Sequence, residues 1–173
     1  MTSLAVDCLL TDDQVADFVI SGYHIVKPSF SPEFHSNVYS KLQSLSMNPG
    51  DEINKAVPAL DQIYAHPSVV GALTSLLGDA YVMAAHRHCH RNHPGTRSQM
   101  WHQDNLNIPM LIDGHGRVPD HVRSVLVMYY PQDVEANMGP TALIPGSHLF
   151  TSSPDRNASQ GNFRDQMIAT LDA

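Results

Sequence analysis

Near residue 80 the spacing of apolar residues changes from helical to alternating. That change limits the chain to folds with helices first and sheet afterwards. Before it, Thr11 followed by Gln14 forms a capping box, in which hydroxyl and carboxamide each satisfy an end amide. Val15, Phe18 and Val19 recur at helical spacing and Gly22 ends the element. "YHIV" at 23–26 alternates as a short strand. Ser31-Pro32 opens a second helix, with proline in the first turn where its missing N–H is harmless. Phe34, Val38, Leu42 and Leu45 form its apolar stripe, and a turn-rich loop follows at 48–51. A third helix is predicted from Pro67 to Leu77, with Val70, Leu73 and Leu77 on one side and Gly78 as its stop.

After the change, residues 80–90, 98–106, 124–130 and 140–148 read as strands, separated by turns at 92–95 and 136–139. The tail 151–162 is loop-like and 163–173 begins a further element. The expected architecture is α+β or mainly β. It is one domain over 1–173, with a mainly helical part (1–79), core strands (80–150) and a final loop and element start (151–173).

The 173 residues suffice for a real core, and 42% hydrophobic with 16% charged is a globular balance. A net charge of −7 argues against nucleic acid, which requires a basic face. No stretch approaches the roughly 20 apolar residues of a membrane span. Cys8 and Cys89 cannot form a disulfide framework, and the N-terminus has no signal-peptide pattern. A cytoplasmic location is therefore expected.

Histidine is over-represented, with 11 against 10 Lys plus Arg. In "QMWHQDN" (99–105), His102 and Asp104 lie two apart, so on a strand they share a face. Two such groups suit adjacent positions on one metal ion, and with a second histidine they form the facial triad of non-haem Fe(II). With 11 histidines among 173 residues, a His-x-Asp arises by chance about once. Taken alone, the pair fits a hydrogen-bonded His–Asp in a sheet equally well. In "HRHCHRNH" (86–93), His86, His88 and His90 also share a face, a candidate zinc or copper site with no completing motif.

The order of motifs is more specific than any one of them. Pro94-Gly95 precedes Trp101-His102-Gln103-Asp104. Asp133-Val134, Asn137-Met138-Gly139-Pro140 and Pro145-Gly146-Ser147-His148 follow, and "LTDDQVADFVISGYHIV" (10–26) precedes them all. This set resembles the phytanoyl-CoA dioxygenase family of Fe(II)/2-oxoglutarate-dependent oxygenases. The resemblance implies a double-stranded β-helix (a cupin-like jelly roll) with N-terminal helices packed on one sheet and iron at its mouth. It implies a hydroxylase of a small or lipid-like organic substrate, with succinate and CO2 as co-products and ascorbate as a candidate accessory reductant. His102 and Asp104 become iron ligands and catalytic residues. Gln99, Met128 and Tyr130 become cosubstrate neighbours, with ordinary core packing the competing role for Met128.

The family's second histidine and its 2-oxoglutarate-binding arginine lie downstream of the Pro-Gly-Ser-His loop. No histidine follows His148, whose loop position does not match the third ligand. The resemblance therefore leads to the expectation of a jelly roll incomplete at its C-terminus, with turnover belonging to a longer chain. The alternative is an inactive jelly-roll module that binds a metal or ligand.

Overall fold

The computed structural model describes residues 6–85, 87–93, 95–102, 122–149 and 165–168. The first half is helical: α1 (Asp12–Ser21), α2 (Pro32–Ser44), α3 (Ile53–Ala56), α4 (Leu60–Tyr64) and α5 (Pro67–Leu77). Local signals set most of these ends. Thr11 and Gln14 make the expected capping box on α1, and Gly22 closes it in the left-handed conformation at φ 84°. Ser31 caps α2 by accepting from the Phe34 amide, with Pro32 in the first turn.

The core lies where the spacing gave no helix. Val38 of α2 packs with Ile53, Val57 and Leu60, and Phe34, Leu42 and Leu45 close around them. Ile53, Val57 and Leu60 follow helical spacing, but Pro58 disfavours the helical conformation at Val57. Val57 sits at φ −131° and ψ 77°, and the run is divided into α3 and α4. The buried side of α5 is not the one that carries Val70, Leu73 and Leu77. Val69, Gly71 and Ala72 are its buried residues, while Val70, Leu73 and Leu77 are half-buried. The cause is a close approach on another side. A Cβ on Gly71 would lie 1.7 Å from the Cys8 carbonyl oxygen, and the Leu10 amide donates to Ser75 Oγ at 2.9 Å.

The β part differs more from expectation. Among the described residues, one ladder forms, the antiparallel pair β1 (Ala142–Leu143) and β2 (Met167–Ile168). The jelly roll expected of these residues is not formed by them, and 23–26, 80–85, 87–90, 98–102 and 124–130 carry no strand pairing. The remainder of the 98–106 run lies outside the described residues. In place of ladders, side chains fasten the second half to the helices. Arg87, Cys89 and Arg91 alternate toward the helical layer. The Arg87 guanidinium donates to the Asp51 carbonyl at 3.1 Å, Cys89 packs on the core, and Arg91 donates to the carbonyls of Leu42 and Leu45 at the end of α2. The Asn48 carboxamide donates to the Cys89 carbonyl and accepts from the Cys89 amide. No helix among the described residues is long and apolar enough to cross a membrane.

The loop Pro145–His148 docks on the carbonyl end of α1. The Gly146 amide donates to the Ser21 carbonyl at 2.8 Å, and His148 Nε2–H donates to the Val19 carbonyl at 3.0 Å. The imidazole lies against Gly22, where an added Cβ would stand 2.3 Å from His148 Nδ1. Gly22→Ala therefore combines left-handed strain with a clash and is expected to lose about 2–4 kcal/mol of stability in urea denaturation. Gly50, at φ 58° with nothing within 4 Å of an added Cβ, is the control. Gly50→Ala should lose only about 1 kcal/mol, and equal losses at the two glycines would show that the His148 contact is absent.

Candidate metal centre

His102 ends the described run 95–102, with Trp101 half-buried and both Met100 and His102 exposed. The imidazole is thus exposed beside a half-buried indole. His102 Nδ1 lies 2.7 Å from the Met100 carbonyl oxygen. A carbonyl can only accept, so Nδ1 carries the proton and the lone pair of the neutral ring sits on Nε2. Metal-ligating histidines are oriented in this way, one nitrogen donating to a carbonyl or carboxylate and the other facing the ion. The donor chemistry at His102 thus fits a divalent metal such as Fe(II). Asp104, the expected second ligand, lies outside the described residues. Gln99, two residues before Trp101, is exposed.

The structure brings Met128 and Tyr130 together on one side of the run 124–130. The Tyr130 hydroxyl is 3.8 Å from Met128 Sδ and 2.6 Å from Thr141 Oγ1. Thr141 was not a candidate from the sequence, because a threonine beside a Gly-Pro turn has no distinctive signal. Tyr129 points the opposite way, into the helical layer. Its hydroxyl is 2.8 Å from His35 Nδ1, the two rings stack at 5.8 Å, and both sit beside the core. Burial pushes the Tyr129 phenol up to about 12, so it keeps its proton, and which ring of the pair donates follows from the imidazole tautomer.

His148 is engaged at the end of α1. Its Nε2 is engaged with the Val19 carbonyl, and its buried Nδ1 has no hydrogen-bond partner among the described residues. The orphan nitrogen faces Gly22 at the helix end, away from any second ligand-bearing side chain that the docking contacts include. Of the other cluster, His88 and His90 share a face with ring centroids 5.9 Å apart, and His86 lies outside the described residues. Asn48 Nδ2 approaches His88 Nδ1 at 3.4 Å, a weak contact that favours the tautomer with its proton on Nε2. Among the described residues, no group of three or more His, Cys, Asp or Glu side chains is placed to hold a metal ion.

A family model described as phytanoyl-CoA dioxygenase (PhyH) matches residues 4–167. The chain belongs to the phytanoyl-CoA dioxygenase family. Neither a curated protein nor a solved structure matches it. Membership agrees with the resemblance carried by the ordered motifs of the second half.

The Tyr129 phenol gives a pH test of this geometry. Its folded-state value of about 12 lies above the ordinary value of 10.0. The folded state therefore holds the proton more tightly, and the associated stability is complete below pH ~10 and lost on rising toward pH ~12. Denaturation midpoints measured between pH 9 and 12 should fall, and Tyr129→Phe should remove part of that fall. An unchanged slope in the variant would place the phenol in water.

Proposed function

We propose that this chain is an Fe(II)- and 2-oxoglutarate-dependent oxygenase that hydroxylates an aliphatic carbon of a small or lipid-like molecule. The observation that carries the reading is the His102 hydrogen bond to the Met100 carbonyl, found in a chain of a dioxygenase family. With that proton on Nδ1, Nε2 is the ring nitrogen that would coordinate an ion. His102 and Asp104 would hold the iron, and the jelly roll that the family implies would supply its mouth. Iron, when bound, couples oxidative decarboxylation of 2-oxoglutarate by O2 to substrate hydroxylation, giving succinate, CO2 and the alcohol.

The chain's own residues have separate tasks. The Met100 carbonyl keeps the His102 proton on Nδ1 and fixes the ring plane. Asp104, two residues further on in sequence, would bring a negative charge that lowers the net charge at the ion. Tyr130 and Thr141 offer paired hydroxyls to an anionic cosubstrate, and Met128 beside them contributes apolar, polarizable surface that limits water. Gln99 supplies a carboxamide near the first ligand.

Anaerobic addition of Fe(II) and 2-oxoglutarate should give the weak visible charge-transfer band of the chelate. His102→Ala should abolish it, and Asp104→Ala should weaken it at least tenfold in Fe(II) affinity. A wild-type chain without the band, or a His102→Ala variant that keeps it, would remove His102 from the metal.

A further inference from the structure

In a paired strand, backbone hydrogen bonds fix the register, and a slip of one residue turns every side chain to the other face. The run 124–130 has no such pairing among the described residues. Some other interaction has to decide that Tyr129 faces the helices while Met128 and Tyr130 face away.

One long-range side-chain bond is built for this. His35 is 8% exposed and is the buried polar residue of the described chain. It sits one helical turn before Val38, so α2 aims it at the core. Phe30 and Phe34 stand edge-on to the imidazole, with centroids 6.0 and 5.8 Å away. Within that apolar wall the imidazole is hydrogen-bonded to Tyr129, 94 residues away in sequence. A buried polar group that loses its partner is strongly penalised, so the pair resists any slip that would withdraw Tyr129. On the far side of the backbone, the Tyr130–Thr141 contact holds the next residue.

We infer that His35 is a positioning residue: by holding Tyr129 it sets the register of 128–130 and so presents Met128 and Tyr130 to 2-oxoglutarate. The register rests on the geometry alone, and the cosubstrate on the functional reading given above. His35 touches no reactant. It acts through Tyr129, from the layer opposite the one that faces the cosubstrate.

The test uses the whole chain carrying 13C-methyl methionine, with the Met128 peak assigned from Met128→Leu. His35→Leu and Tyr129→Phe should each move the Met128 peak, and the two changes together should move it no further than either alone. Met47, 74% exposed in the loop after α2, should stay in place. His35→Asn should return the Met128 peak toward its original position, because the Asn carbonyl oxygen can accept from the phenol. The concentration of 2-oxoglutarate for half-saturation should rise about tenfold in His35→Leu and recover in His35→Asn. Tyr129→Phe removes one oxygen and keeps the test valid where His35→Leu does not fold. A Met128 peak that stays in place in folded Tyr129→Phe overturns the inference. A peak that moves while 2-oxoglutarate binding does not change retains the positioning role and overturns the cosubstrate reading of Met128 and Tyr130.

Discussion

Helices end with carbonyls that have no partner inside the helix, and in this chain the second half supplies the missing donors. The end of α1 is met by Gly146 and His148, more than a hundred residues later. The end of α2 is met by the Arg91 guanidinium, which reaches the carbonyls of Leu42 and Leu45. A cation at a helix C-terminus also gains from the aligned peptide dipoles. These contacts join two parts that share little continuous sheet, and they do so at fixed points. Between them, Cys89 and Tyr129 insert into the helical core. The helical layer is thus a template on which the non-helical runs are laid out, and their outer faces are defined by what their inner faces hold.

That arrangement bears on the metal reading. His102 is exposed next to a half-buried Trp101, so the imidazole faces outward. What makes it a ligand candidate and not an ordinary surface histidine is the short bond from Nδ1 to its own backbone, two residues back. The constraint is local and survives whatever happens at a distance. Family membership then supplies the chemical context, and the ring orientation supplies the donor atom.

The sequence made some of this legible and concealed the rest for physical reasons. Thr11 with Gln14, Gly22, and Ser31-Pro32 are signals contained within one turn, and α1 and α2 begin and end where those residues say. Ile53, Val57 and Leu60 follow the same helical spacing, but the proline between them breaks the run, and half the core went unread. His102 stood out because its pattern is short. Asp104 stood out with it but lies outside the described residues. The His35–Tyr129 pair illustrates the opposite case. Spacing from Val38 points His35 inward, and alternation with Met128 and Tyr130 points Tyr129 the same way. Their meeting spans 94 residues, and no local pattern encodes a partnership of that length. The strand pattern of 80–90 and 124–130 holds as alternation at 87–90, while Leu126, Val127 and Met128 of the expected buried strand are exposed. It was overread as pairing, because a ladder needs a neighbour and alternation does not name one.

The Asn48 carboxamide has a consequence of its own. It occupies both the amide and the carbonyl of Cys89, as a neighbouring strand would, and its oxygen also accepts from the Gly50 amide. A foreign polypeptide sliding along 87–91 would find that rung already taken, so templated growth from this edge is blocked at its centre. One side chain thereby serves as a stopper against self-association in a region otherwise short of regular pairing.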